Sequence, residues 1–339
     1  MQAAARAGLT TSGRRARALS VVAAVLALVV LFGVSIAATL PSKWFVEAEN
    51  RRLGVDQPAP YARVPASAQP VDDLVSIGDL GDQATQFVPD GEFMMVTVME
   101  PEQTLLSWLV GHTHPAVQFL TDEGRNGFRT PQQNRTLALA SMRTSEQVAQ
   151  YVALDRLGYD VELVLGEVLI EDMVCLEPID DVTCERWSPS DTVLDPGDKI
   201  LEVDGEEIDT VEDLSALLAD KEPGDLVPMR IERPGDGELD VDVELTASPD
   251  DPDRTIVGFY PFDTARVQLP FEMEIDPRGV GGPSAGLAFT LTIIDELTEG
   301  ELTGGGRVAV TGTINLDGTV GAIGGLRQKT SAVKDAGAD

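Results

Sequence analysis

The chain has 339 residues and a formal net charge of −32, and 43% of its residues are hydrophobic. The negative charge is spread over most of the chain and repels nucleic acid and anionic lipid, so nucleic-acid binding is excluded. The length and apolar content are sufficient for two folded domains beside a membrane segment.

The N-terminus has the pattern of a membrane anchor. Four arginines and no acidic residue occur in residues 1–17, and an uninterrupted apolar segment follows over residues 18–40. At about 1.5 Å per residue, this segment is long enough to cross the hydrocarbon core of a bilayer. The arginines predict a cytoplasmic N-terminus and export of the remaining chain. Small residues at 35–38 also fit a cleaved signal peptide, but the length of the apolar segment favours an uncleaved anchor.

The next two segments differ in composition. Residues 41–85 include four prolines among alanines and small polar residues, between positions 58 and 70, and this pattern predicts a linker or an extended edge segment. Residues 86–158 predict a small α/β region. Its expected elements are a strand over 93–98, a helix over 104–110 and a second helix over 144–157.

Two pairs of residues in the middle of the chain suggest binding or cross-linking chemistry. His112 and His114 are the only histidines and have no third ligand nearby, so surface residues are predicted rather than a metal site. Cys175 and Cys184 are the only cysteines and lie close together in a region placed outside the cytoplasm. Oxidising surroundings favour a disulfide between them, and two free thiols are the alternative.

Residues 159–250 have the pattern of a small β domain. Strands are predicted over 161–170 and 199–203, a capped helix over 210–218, and a hairpin after it. The run LDPGDKI that begins at Leu194, with VDG after it, resembles a PDZ domain of the bacterial protease type. This resemblance implies that an extended peptide adds to a sheet edge, in a groove between strand 161–170 and helix 211–218. A small β domain without this activity is the alternative.

The segment 278–339 contains the spacing from which a reaction can be inferred. Residues 281–286, GGPSAG, place Ser284 on a turn of small residues before an apolar helix predicted for 287–294. Such a turn exposes the hydroxyl and leaves backbone N–H groups at the helix start, where they can stabilise an oxyanion. A serine hydroxyl needs a base, and no histidine follows residue 114.

Lysine is the base that remains, provided that burial lowers its pKa. Lys329 and Lys334 are the only two lysines downstream of Ser284. Lys329 ends the run GGLRQK, in which a glycine turn opens a second predicted helix. One helix start would therefore hold the nucleophile, and the other would hold the base.

In this order, GPSAG, VTGTI and GGLRQK resemble the proteolytic domain of Lon proteases, which use a Ser-Lys dyad. The resemblance implies that Ser284 is the nucleophile, that Lys329 is the general base and that Thr311 orients the lysine. It also implies an oxyanion hole formed by the backbone of Gly282, Pro283 and Ser284.

Two positions depart from many Lon domains, which carry acidic residues where this chain has Gly281 and Thr313. Both departures favour the membrane-anchored Lon-like proteins that are fused to a PDZ domain (YlbL-like). The sequence also contains no GxxxxGK[ST] motif, so the implied enzyme works without its own ATPase and cuts extended or unfolded segments.

The sequence therefore predicts an α/β (α+β) protein with a single transmembrane helix, a PDZ-like β domain and a Lon-type proteolytic domain. The predicted segments are a cytoplasmic N-terminus (1–17), an anchor (18–40), a linker (41–85), a small α/β region (86–158), a PDZ-like domain (159–250) and a Lon-type domain (257–339), which is expected to be truncated at its C-terminus.

The expected function is that of an ATP-independent serine endopeptidase acting on extracytoplasmic polypeptides, with the PDZ-like domain selecting or presenting the substrate. No cofactor and no metal are expected, and assembly into a homo-oligomer is left open. Two alternatives remain: a catalytically silent, membrane-tethered peptide-binding scaffold, and a protease that cuts its own chain once.

Overall fold

The computed structural model describes residues 3–50, 55–81, 84–179 and 184–338. The helices are α1 (Ala3–Thr39), α2 (Leu105–Gly111), α3 (Asp122–Asn126), α4 (Pro131–Arg156), α5 (Val211–Leu218), α6 (Gly286–Leu297) and α7 (Leu326–Ala336). The strands are β1 (Glu47–Asn50), β2 (Val55–Pro58), β3 (Tyr61–Pro70), β4 (Val75–Ile77), β5 (Glu92–Met99), β6 (Gln118–Leu120), β7 (Glu162–Met173), β8 (Cys175–Pro178), β9 (Cys184–Trp187), β10 (Lys199–Val203), β11 (Glu206–Glu207), β12 (Leu226–Arg233), β13 (Gly237–Glu244), β14 (Thr246–Ala247), β15 (Thr255–Ile256), β16 (Phe259–Gln268), β17 (Met273–Ile275), β18 (Arg307–Val310), β19 (Thr313–Ile314) and β20 (Val320–Gly321).

Helix α1 contains the candidate membrane span. Its residues Leu19–Thr39 form a 21-residue stretch with a mean hydropathy of 2.9, and none of this stretch is buried inside the protein. The length and composition suit a bilayer crossing, and a signal sequence near an N-terminus has the same properties.

The sheet that contains the start of the VTGTI run has the strand order β18-β5-β3-β6. Strand β3 runs antiparallel to β5 and β6, whereas β5 runs parallel to β18 with Phe93 opposite Val308. Helices α4 and α6 pack against each other, and α7 packs against β3 and β5. The buried residues of this core come from chain segments before and after the PDZ-like segment. They include Val71, Leu74, Met95, Met142, Ala149, Phe289 and Ile293.

The prediction of a linker over residues 41–85 is wrong for β3 and β4. Strand β4 pairs with β17, and β3 pairs with β5 along most of its length but with β6 only over residues 61–63. The prolines Pro65 and Pro70 therefore lie where β3 has one neighbour among the described strands. Such an edge position tolerates a residue that lacks an N–H, so the alternative prediction of an extended edge segment describes these residues better.

Helix α4 begins at Pro131 rather than at the predicted residue 144. A capping box fixes its start: the Thr130 hydroxyl accepts from the Gln133 N–H, and the Gln133 side chain accepts from the Thr130 N–H. Proline at the first helical position adds to this signal. Residues 132–136 are all polar, so apolar periodicity gives no signal for the start of the helix.

The PDZ-like unit has a sheet with the strand order β13-β12-β10-β7-β16. Helix α5 packs beside this sheet and begins at a capping box in which Thr210 is the N-cap. A second group of buried residues fills the unit, including Ile170, Ile200, Val203, Leu214, Ile231 and Leu245. Cys175 and Cys184 form a disulfide that joins β8 and β9, with their Cα atoms 5.8 Å apart.

The groove predicted between strand 161–170 and helix 211–218 is not open. Strand β16 lies along β7 from Phe259 to Gln268 and occupies the edge at which a peptide was expected to pair. The N-terminus of α5 lies beside β16, where the Val211 N–H donates to Asp263 Oδ1 at 2.7 Å. The sequence prediction failed because β16 is more than 80 residues away from β7 in the chain, and local patterns do not reveal such partners.

Candidate active site

Ser284 lies in a short 3-10 helix, Pro283–Ala285, that leads directly into α6. Gly282 precedes it with φ of 93°, in the left-handed region that favours glycine. Gly286 follows, and a Cβ atom there would lie 2.5 Å from Ser145 Oγ. The small residues of GGPSAG are therefore required both by the turn and by its close approach to helix α4.

Helix α4 holds the turn in place through its backbone and one hydroxyl. The Gly282 N–H donates to the Ala138 carbonyl at 2.7 Å, and Ser145 Oγ donates to the Pro283 carbonyl at 3.0 Å. Just upstream, Arg135 Nη2 donates to the Gly279 carbonyl at 3.0 Å. These contacts fix the backbone on which the Ser284 hydroxyl is mounted.

Lys329 ends the first turn of α7, after Gly325 has turned the chain in a left-handed conformation with φ of 68°. Its side chain is 4% exposed, and its Nζ lies 2.6 Å from Ser284 Oγ. Among the ion pairs of the described residues, none includes Lys329. Burial lowers the pKa of Lys329, because an ammonium group loses hydration there and gains no counter-charge in return.

Thr311 connects the two side chains. Lys329 Nζ donates to Thr311 Oγ1 at 2.9 Å, and Thr311 Oγ1 donates to the Ser284 carbonyl at 3.2 Å. The next residue strengthens the link, since the Gly312 N–H donates to the same carbonyl at 2.9 Å. These hydrogen bonds join the residues after the C-terminal end of β18 to the nucleophile turn. The structure thus brings Ser284, Thr311 and Lys329 together.

The predicted oxyanion hole needs correction. Proline has no N–H, so Pro283 cannot donate a hydrogen bond. The Gly282 N–H already donates to the Ala138 carbonyl within the protein. Of the three predicted amides, only that of Ser284 remains as a donor. The sequence prediction treated the turn as three equivalent N–H groups and could not include the packing of Gly282 against α4.

The other residues singled out in the sequence lie outside this site. His112 and His114 are exposed, and the His112 ring lies 5.1 Å from the ring of Trp108. Within the described parts of the chain, no group of three His, Cys, Asp or Glu side chains is placed to hold a metal ion. The disulfide lies in the PDZ-like unit.

A cleft of about 890 Å³ opens beside residues 281–283. Its walls come from α4, from the end of β5 and from the PDZ-like strands β7 and β16, which contribute Glu171 and Phe262. A polypeptide that reached Ser284 through this cleft would therefore touch both sheets. Sequence reasoning missed Ala138 and Ser145, although the Thr130–Gln133 capping box with Pro131 could have revealed the helix that carries them.

Comparison with known proteins gives two family matches. Residues 157–245 match the PDZ domain family, and residues 276–339 match the C-terminal proteolytic domain of Lon protease (S16). No curated protein matches the chain.

Several solved structures are similar to part of the chain. They include the PDZ domain of an SdrC-like protein from Listeria monocytogenes (21% identity, 30% of this chain, 92% of that chain, TM-score 0.23), the PDZ domain of an SdrC-like protein from Listeria innocua (21%, 26%, 92%, 0.20) and a protein from Geobacillus thermodenitrificans solved in solution (21%, 26%, 95%, 0.20).

The two family matches coincide with the two folded units that contain the corresponding motifs. The Lon-type match includes Ser284, Thr311 and Lys329, and the PDZ match includes β7 to β13 with helix α5. The chain therefore combines a PDZ domain with the proteolytic domain of the Lon (S16) proteases, and it is a peptidase of the Lon type.

Proposed function

We propose that this protein is a membrane-anchored serine endopeptidase that works without ATP and uses Ser284 and Lys329 as its catalytic dyad. The observation that carries the proposal is the 2.6 Å contact between Lys329 Nζ and Ser284 Oγ, made by a buried lysine that has no acidic partner among the described residues. Burial favours the neutral amine, and a neutral amine at this distance can accept the serine proton.

In the proposed mechanism, Ser284 Oγ attacks the carbonyl carbon of the scissile bond while its proton moves to Lys329 Nζ. The lysine, now an ammonium group, gives that proton to the leaving amine as the C–N bond breaks. The product is an ester between the substrate acyl group and Ser284. Water then attacks the ester with Lys329 again as the base, and the serine hydroxyl is restored.

Thr311 acts as a positioning residue in this mechanism. Its hydroxyl gives its only hydrogen to the Ser284 carbonyl and accepts one from Lys329 Nζ. With that N–H directed at Thr311, the lone pair of the neutral amine can be directed at Ser284 Oγ. The Ser284 N–H, at the positive end of α6, supports the oxyanion.

The substrates that we propose are unfolded or extended polypeptides outside the cytoplasm. The sequence contains no phosphate-binding GxxxxGK[ST] loop, so this chain supplies no ATP-driven unfolding of its own. For the PDZ domain, we place the peptide site between β16 and α5. A cleft of about 970 Å³ lies there, and Leu214, Leu218, Val257 and Phe259 are among its lining residues.

We expect the full-length protein in detergent to cut an unfolded casein-like substrate at the same rate with and without Mg-ATP. A folded, disulfide-stabilised substrate should resist cutting, and reduction of its disulfides should make it cleavable. The Ser284→Ala protein, purified in parallel, measures cleavage by contaminants. The peptidase proposal fails if wild type and Ser284→Ala cut equally. Binding of peptides without any cutting would instead support the scaffold.

The pH dependence of kcat/KM should reveal the lysine. Because burial lowers the pKa of Lys329, activity should rise with pH and reach its plateau below the range in which an exposed lysine loses its proton, about 10.4. Glu146 lies on α4 beside Ser145, and burial raises the pKa of its carboxyl to about 7. Loss of the proton from this carboxyl could therefore also make the activity rise with pH. The Glu146→Gln protein should keep the same rise of activity with pH. If the rise is lost in that variant, the Glu146 carboxyl and not Lys329 is the group that titrates.

A further inference from the structure

Helix α2 is an apolar helix whose residues are all at least partly exposed. Its sequence is LLSWLVG, and none of its residues is buried. Leu109 is 52% exposed and Val110 is 68% exposed. The helix is nevertheless well defined at its start, where Thr104 and Ser107 form a capping box. A rigid helix therefore presents large apolar side chains outward.

The start of α2 is tied to the end of the candidate membrane span. The Leu105 N–H donates to the Leu40 carbonyl at 2.9 Å, and the Ser42 N–H donates to the Gln103 carbonyl at 2.9 Å. Pro41 and Thr104 also form an isolated β-bridge. Since α1 ends at Thr39, helix α2 begins at the level where the chain leaves the hydrocarbon core.

Aromatic residues lie next to this junction. Trp44 is 64% exposed and Phe45 is 58% exposed, and they lie three and four residues after Pro41 in the chain. Trp108 on α2 is partly exposed and lies 6.4 Å, ring to ring, from Phe119. We call Trp44, Phe45, Trp108, Leu109 and Val110 the interfacial patch. Tryptophan is enriched at the membrane–water interface, where its ring is amphipathic enough to contact both phases.

The interfacial patch lies in two segments that contain no acidic residue. The protein has 57 Asp and Glu residues in 339, yet residues 37–46 and 103–121 contain none. Lys43, which is exposed, is the one Lys or Arg in these two segments. An acidic surface repels anionic lipid, so a surface without acidic residues can approach a bilayer at a lower electrostatic cost.

We propose that the interfacial patch lies in the headgroup region and upper acyl layer of the membrane that α1 crosses. The proposal rests on the proposed anchoring by α1, and the partner is the lipid of that same leaflet. A contiguous exposed apolar surface on a rigid element next to a membrane span is typical of a monotopic contact. The protease body is then held against the bilayer in one orientation rather than suspended on a flexible tether.

The three tryptophans of the chain, Trp44, Trp108 and Trp187, provide the test. Three full-length proteins that each retain one tryptophan, with Phe at the other two positions, are reconstituted into phosphatidylcholine vesicles. Part of the lipid is brominated near the headgroup end of the acyl chains. We expect strong quenching of Trp44 and Trp108 and little quenching of Trp187, a residue of the PDZ-like unit whose ring packs on that of Phe128.

A charged variant separates lipid contact from simple proximity. In the protein that retains Trp108, Leu109→Glu with Val110→Glu should remove most of the Trp108 quenching. The matched control is Leu226→Glu, a 65% exposed residue of β12, which should leave it unchanged. Vesicle association with quenched Trp44 but unquenched Trp108 would overturn the patch and leave the anchor intact. Failure of the protein to associate with vesicles would overturn both, whereas peptidase activity in detergent is unaffected by either result.

Discussion

Replacement of Lys329 by Met is expected to lower kcat by at least about ten thousand-fold, because loss of a base that acts as a unit with its nucleophile removes most of the catalysis. Methionine has a similar length and suits a buried site, so the fold should persist. The variant keeps Ser284 and its turn but loses the amine that lies 2.6 Å from the hydroxyl and accepts its proton in the proposed mechanism. Steady-state cleavage of a fluorogenic unfolded substrate measures the change, and thermal unfolding checks the fold.

The control for this change is Lys334→Met on the same helix, where the lysine is exposed and outside the dyad contact. It should retain activity within about two-fold. Ser284→Ala should match Lys329→Met, and the double variant should be no slower than either single variant, since the two residues act in one step. If Lys329→Met retains substantial activity while Ser284→Ala is inactive, another group is the base and the dyad is wrong.

A change at Gly281 should be the next most damaging, although this residue has no part in the chemistry. A Cβ atom there would lie 2.9 Å from Ala138 Cβ and 3.1 Å from the Ala138 carbonyl carbon. Gly281→Ala must therefore push the nucleophile turn away from α4. Displacement of a reacting group by about 1 Å can cost roughly a hundred-fold in rate, so we expect a loss of about that size in kcat.

Gly166→Ala is the matched control, because Gly166 has no heavy atom within 4 Å of the added Cβ and lies in the PDZ-like unit. It should leave kcat unchanged. Ala138→Gly, added to Gly281→Ala, removes the nearest contact and should restore part of the activity. A Gly281→Ala protein with wild-type kcat would show that the turn tolerates displacement, and the positioning role assigned to α4 would then be abandoned.

The Gly281 contact also gives a physical reason for the departure noted in the sequence, where many Lon domains carry an acidic residue. An aspartate would place its Cβ against Ala138 in the same way, and its carboxylate would need space that α4 fills. With glycine at this position, Lys329 has no ion pair among the described residues, and burial alone lowers its pKa. Desolvation therefore favours the neutral form of the base in the proposed dyad.

The sequence by itself determined the local parts of this protein. Glycine turns and helix starts depend on neighbouring residues, so GGPSAG and GGLRQK predicted the two helix starts that hold Ser284 and Lys329. The sequence likewise predicted the capped start of α5 at Thr210, and the close spacing of the two cysteines favoured a disulfide. The dyad could be proposed because each motif is complete within a few residues.

Only the tertiary structure decided which distant segments meet. Residues 41–85 were predicted to form a linker or an extended edge segment, because prolines and small residues are typical of linkers. The pairing of β3 with β5 cannot be recognised from that composition. The nucleophile turn depends on Ala138 and Ser145, about 140 residues earlier in the chain, and the edge of β7 is filled by β16. Strand pairing and close packing depend on a partner that local composition does not specify, so the oxyanion donors and the peptide groove could not be derived from the sequence.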